Sequence, residues 1–173
     1  MSASQHTSHQ YATFVVAGQF LGVDVTEVQE VLRGQSMTRV PLAPPVVEGL
    51  INLRGQIVPA LDMRCVLGLP PRPRDPGGNE SAAAVSPGAV SPGAVSQGAV
   101  SVVVRSAHGA VSLQVDEIED VIELDAGSFE APPPNIDGAL RTLFAGVHKL
   151  EGRLLLVLDT GRTVERGISQ ERN

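Results

Sequence analysis

The chain contains one hairpin-like unit twice. The first copy is Gly49-Leu-Ile-Asn-Leu-Arg-Gly-Gln-Ile-Val-Pro-Ala-Leu-Asp62. Late in the chain, Gly146-Val-His-Lys-Leu-Glu-Gly-Arg-Leu-Leu-Leu-Val-Leu-Asp159 repeats its Gly, Leu, Gly and Asp at a constant offset. In the first copy, residues 50–53 and 57–61 have the length and β-branched content of buried strands. Gly55 between them supplies the positive φ of a tight turn, which leaves Arg54 exposed at its tip. A second pair of blocks supports the duplication. Residues 14–32 align with residues 104–122, placing Glu27-Val-Gln-Glu-Val-Leu32 on Glu117-Ile-Glu-Asp-Val-Ile122. Two copies are too few for a solenoid, and short strands with Gly-rich turns favour a small barrel or curled sheet per half.

Composition excludes several classes. A hydrophobic share of 42% in 173 residues suffices for a core, but with aromatics at 3% it must be built of Val, Leu, Ile and Ala. A net charge of −6 without a Lys/Arg-rich stretch argues against nucleic acid and against a membrane-surface anchor. The single cysteine, Cys65, leaves no internal disulfide, which suits a reducing compartment. No long apolar run and no secretion-signal pattern is present. A cytoplasmic protein without membrane insertion is expected.

Taken in order, residues 1–10 are expected to be a disordered tail, with His6 and His9 solvated rather than metal-bound. Strands are expected at 12–17 and 20–25, then a helical turn over 27–32 running into a third strand. The prolines of 38–45 dictate an extended connection. Residues 63–68 read as a short helix capped by Asp62 and ended by Gly68, and Cys65 beside Val66 and Leu67 reads as an inert core thiol. Residues 70–98, with their Ala-Val-Ser-Pro-Gly repeats, read as a flexible insert, because small side chains cannot offset the backbone entropy of ordering. The second half then opens with strands at 99–104 and 110–115. Residues 116–125 carry six carboxylates in near alternation with apolar residues, the pattern of a strand with one solvated face; no calcium-loop pattern accompanies them. His108 falls in a turn and His148 on a strand, both read as structural. The halves are thus 11–69 and 99–164, followed by a polar tail, 165–173.

No nucleophile elbow, phosphate loop, zinc-protease or dinucleotide motif occurs, so no enzyme, cofactor or metal site is expected.

The residues do resemble a known family. Phe20-Leu-Gly-Val-Asp-Val-Thr-Glu-Val-Gln-Glu-Val31, followed by Pro44-Pro-Val-Val-Glu-Gly-Leu-Ile-Asn-Leu-Arg-Gly-Gln-Ile-Val-Pro-Ala-Leu-Asp-Met-Arg64, is similar to the CheW-type coupling domain of bacterial chemotaxis, and the likeness runs over 11–164 apart from the insert. The resemblance implies an all-β fold of two five-stranded SH3-like barrels packed together. It further implies a non-catalytic scaffold at membrane-bound receptor arrays, bridging the cytoplasmic tip of methyl-accepting chemoreceptors and the regulatory domain of a CheA-type histidine kinase. Its motif positions make Val28, Glu30, Arg54 and Gly55 the partner-binding residues, with Glu30 and Arg54 close together and exposed. Their repeat equivalents are Asp120 and Glu151, so the opposite charges of the first half become like charges in the second. Departures from the family pattern are the missing aromatic near Val46, the long insert, and little chain for a C-terminal helix. A second reading is a small-molecule-binding regulatory β-barrel protein with a ligand in the cleft between its barrels.

Because closure entropy changes slowly with loop length, deleting residues 81–98 should shift the melting temperature by no more than about 3 °C. A larger drop in a thermal melt would show that the insert packs.

Overall fold

The computed structural model describes residues 7–71 and 100–169. In chain order its elements are β1 (Ser8–Val16), β2 (Gln19–Asp24), a 3₁₀ turn (Val25–Glu27), β3 (Val28–Arg33), β4 (Met37–Thr38), β5 (Val47–Leu53), β6 (Gln56–Asp62) and α1 (Met63–Val66). The later part continues with β7 (Val100–Ser106), β8 (Gly109–Val115), β9 (Glu117–Asp125), a second 3₁₀ turn (Ala126–Ser128), β10 (Phe129–Glu130), α2 (Gly138–Arg141), β11 (Phe144–Leu150), β12 (Arg153–Leu158) and α3 (Thr160–Ser169). The mostly-β class read from the repeat is what the chain forms.

Two six-stranded sheets result, in the orders β10-β11-β12-β2-β1-β9 and β3-β7-β8-β6-β5-β4. Residues 11–69 and 99–164 therefore do not each make their own sheet, contrary to expectation. The first hairpin of each half completes the sheet of the other. β2 joins β12 in parallel, β8 joins β6 in parallel, and the antiparallel pairs β1·β9 and β3·β7 close the exchange. The physical reason is the duplication itself: the slot beside β11–β12 resembles the slot beside β5–β6, so either first hairpin suits either slot.

Expected termini also move. β1 starts at Ser8, three residues early, because Ser8, His9 and Gln10 pair with Asp125, Leu124 and Glu123. The supposed tail at 165 is helix as far as Ser169, since Thr160, Thr163, Val164 and Gly167 recur at helical spacing and are buried. Residues 1–6, 72–99 and 170–173 lie outside the described residues, and with them His6 and nearly all of the flexible-insert assignment.

Burial follows the exchange. The largest core cluster lies between the sheets, with Phe14, Val16, Leu21 and Val23 from the first meeting Leu61, Val102, Val104, Leu113 and Val115 from the second. Smaller clusters sit on the opposite faces: Tyr11, Phe20, Leu155 and Val157 on the first sheet, and Met37, Ile51, Leu53, Val58, Ala60 and Val103 on the second. Two glycines shared by the copies have the same cause. A Cβ on Gly49 would lie 2.7 Å from the Thr38 carbonyl oxygen, and one on Gly146 would lie 2.6 Å from that of Glu130. Both mark a bulge where a two-residue strand, β4 or β10, crosses the hairpin.

Polar links brace the exchange. Arg64 on α1 grips Asp116 through two guanidinium nitrogens, Nε to Oδ1 at 3.1 Å and Nη2 to Oδ2 at 2.7 Å, with both side chains about one-fifth exposed. Asp116 Oδ2 also accepts from the Ala17 N–H at 2.7 Å, so one carboxylate ties α1 to the β1–β2 turn. In the mirror position the Thr160 hydroxyl, at the start of α3, donates to Glu27 in the first 3₁₀ turn.

His148 is fully buried on β11. Its ring lies between Tyr11 and Phe129, at 5.2 Å from each ring centroid, and its Nδ1 is 2.8 Å from the Ser128 hydroxyl. Burial, with a smaller contribution from His9, pushes its pKa below the ordinary histidine value of 6.5.

Two expectations follow. Arg64→Ala should cost about 2 kcal/mol by taking the cation from a half-buried carboxylate that keeps its bond from the Ala17 N–H, and a double-mutant cycle with Asp116→Asn should show coupling of at least about 1 kcal/mol; zero coupling would make the pair incidental. For His148 the unfolded chain takes up a proton as pH falls through about 6.5 while the folded chain resists until lower pH. Stability is therefore complete above pH 6.5 and should decline below it until the lower folded-state pKa is passed. In melts recorded across that window His148→Gln should flatten the slope.

Candidate functional site

Leu53 pairs with Gln56, so the β5–β6 connection is the two residues Arg54 and Gly55. Their φ values, 54° and 86°, are both left-handed, as a primed hairpin turn requires. The Asn52 side chain steadies the turn, its Oδ1 accepting from the Gly55 N–H at 2.8 Å. Glycine adopts this conformation freely, whereas for arginine it is strained by about 1 kcal/mol. Besides Arg54, only Ala17 and Leu42 among the described non-glycine residues have positive φ.

β3 brings Glu30 to this turn. Its carboxylate accepts from Arg54 Nη2 at 3.0 Å, with the Arg54 side chain 81% exposed and that of Glu30 25% exposed. The two residues do approach to ion-pair distance, but Glu30 is half-buried rather than exposed. Gly55 belongs to the same turn. Val28 does not join this surface group in the same way: it is half-buried and packs against the core between the sheets, and a register shift separates it from Glu30 along β3.

Two exposed apolar residues were missed in the sequence. Ile57 follows the turn on β6 and is 61% exposed, while Val31, on the face of β3 opposite to Glu30, is 41% exposed. Residues 57–61 read as a wholly buried run, whereas strand alternation sends Val58 and Ala60 inward and Ile57 outward. Val121, the repeat equivalent of Val31, is 58% exposed, because it alternates with the half-buried Ile122 and so faces outward. The apolar–acidic alternation of β9 therefore does not account for each of its residues.

The contrast of charges between the copies also needs correction. Asp120 and Glu151 are like charges, yet β9 and the β11–β12 hairpin are joined by a displaced pair, Arg153 Nη1 to Glu119 Oε2 at 2.8 Å. A strand-to-hairpin ion pair thus exists in both halves. What differs is the arginine. Arg153 lies 3.7 Å over the Phe20 ring and is held to its own surface, while Arg54 projects.

Other candidates have structural settings. Cys65 is half-buried on α1, and burial, followed by neighbouring Asp62, pushes its thiol up to about 11, far from the thiolate needed for nucleophilic or redox work. His108 sits in the exposed β7–β8 turn, its N–H donating to the Ser106 hydroxyl at 3.1 Å. His9, with Nδ1 3.8 Å from Asp24, belongs to β1. No helix among the described residues is long and apolar enough to cross a membrane.

Comparison with known proteins bears on the chain as a whole. Residues 10–167 match the model of the CheW-like domain. The chemotaxis protein CheW of Bacillus subtilis strain 168 is 26% identical over 98% of this chain and 96% of its own length. That of Thermotoga maritima is 25% identical over 88% and 85%. Among solved structures, the scaffolding protein TtCheW from Thermoanaerobacter tengcongensis superimposes with a TM-score of 0.71 at 26% identity, covering 92% of this chain and 94% of that one. The chain belongs to the CheW-like domain family and is a coupling scaffold of chemotaxis signalling.

Proposed function

We propose that the chain joins the cytoplasmic tip of methyl-accepting chemoreceptors to the regulatory domain of a CheA-type histidine kinase, without catalysis of its own, and works at the cytoplasmic face of a receptor array. The contact is formed by Val28, Glu30, Arg54 and Gly55, each with a separate task. Gly55 permits the tight turn, Glu30 orients the guanidinium, Val28 anchors the root of β3, and Arg54 reaches the partner. The observation that carries this reading is the exposure of Arg54 at a strained φ, with Ile57 exposed just after the same turn. An arginine next to an exposed aliphatic side chain suits a protein partner, since arginine is enriched among residues that dominate binding energy. As a salt bridge alone the pair is worth about 0–1 kcal/mol, which at most offsets the strain and leaves no net gain in stability.

Arg54→Ala should accordingly leave the melting temperature within about 2 °C while weakening binding to the kinase regulatory domain or to a receptor-tip peptide about tenfold. Calorimetry at matched salt decides the matter, and equal affinity of wild type and variant for both partners would remove Arg54 from the contact.

A further inference from the structure

At one end of the first sheet a cleft of ≈ 370 Å³ opens between the start of β1, the end of β2, both 3₁₀ turns, β10, β12 and the start of α3. Its size falls in the range of small-molecule sites. Tyr11 and Phe129 form aromatic walls, and both are fixed from behind by the buried His148 ring. Among the described residues the lining contains three carboxylates, Asp24, Glu27 and Asp159, and no Lys or Arg.

Each carboxylate is held in place by its own element. Asp24 Oδ1 accepts from the Thr26 N–H and hydroxyl, Glu27 Oε2 from the Thr160 hydroxyl, and Asp159 Oδ1 from the Arg162 N–H. An ionised carboxylate offers about four acceptor positions, so these bonds fix the groups without exhausting them. Burial acts to raise the Asp24 pKa, but the Thr26 bonds and nearby His9 outweigh it, and Asp24 is held below the usual carboxylate range. Arg162 stands 3.6 Å from Asp159 and offsets part of that charge, whereas the basic group beside Asp24 is the His9 imidazole, which lines the cleft with Nδ1 at 3.8 Å and lacks arginine's permanent charge, so Asp24 and Glu27 form the stronger anionic pole.

We propose that this cleft binds a small organic cation, an amine or amidine on a flat apolar body, with the body against Tyr11 and Phe129 and the cationic head toward Asp24 and Glu27. Ring faces and carboxylates both favour positive charge, so an anion of the same shape is rejected and a neutral one gains only the wall contacts. The site is separate from the Arg54 turn and does not depend on any macromolecular partner.

The probe is benzamidine, with neutral benzamide and anionic benzoate as matched shapes, added to the full chain in thermal melts. At about ten times its dissociation constant benzamidine should raise the melting temperature by about 2–4 °C, and neither control should do so. Ala145→Leu places bulk at an exposed position of the lining and should abolish the effect. Asp24→Asn, which keeps an oxygen for Thr26, should weaken benzamidine about tenfold and serves if Ala145→Leu unfolds. The proposal is overturned if benzamidine produces no shift, if benzamide matches it, or if the shift survives intact in a folded variant.

Discussion

The structure depends on the exchange of first hairpins between the two halves. Each sheet needs β-strands from both copies, so neither half can satisfy its backbone hydrogen bonds alone. β1 and β2 belong with β9 to β12, while β7 and β8 belong with β3 to β6, and the main hydrophobic cluster lies on the plane where these sets face each other. The two halves can be separated only by breaking both sheets, the first between β2 and β12 and between β1 and β9, the second between β6 and β8 and between β3 and β7. The duplicated chain is therefore tied into one body by its two shared sheets.

The polar links follow the same logic. Arg64–Asp116 joins the helix after β6 to the junction after β8, and Glu27–Thr160 joins the turn after β2 to the helix after β12. Both occur where the chain passes from one sheet to the other. The links differ in chemistry because one copy uses a bidentate ion pair and the other a hydroxyl and a carboxylate, yet each satisfies polar groups that the crossing would otherwise leave half-buried. Sequence divergence has kept the geometry and changed the residues.

Much of this was legible in the sequence, and the limits are specific. The repeat announced two similar units, and Gly55, Asp62 and Gly68 marked their turn, cap and stop where the structure has them. Which hairpin pairs with which half was not legible, because a duplicated pattern makes self-pairing and cross-pairing read alike. His148 appeared as one more strand residue; its burial against Tyr11, more than a hundred positions away, leaves no local trace. At the site, proximity of Glu30 and Arg54 could be inferred from the family motif, whereas the exposure of Ile57 depended on which face of β6 is packed near the turn. The Arg153–Glu119 pair escaped notice because it is displaced along both elements, so position-by-position alignment could not find it.

That displaced pair sharpens the meaning of Arg54. If a strand-to-hairpin ion pair served only to hold a half together, the second copy shows how to make one without strain: Arg153 comes from the strand, and Glu151 at the turn is not among the residues with positive φ. The first copy instead places its arginine at the turn tip, in a conformation that favours glycine or asparagine, with most of the side chain in water. Local strain of this kind persists when the surrounding structure imposes it, and it concentrates where a side chain must be presented. Here the tight turn, the Asn52 bond to Gly55 and the Glu30 carboxylate together impose one direction on the guanidinium. In the proposed contact an arginine already oriented would lose less side-chain entropy on meeting a partner, and strain in the free scaffold would become affinity in the complex.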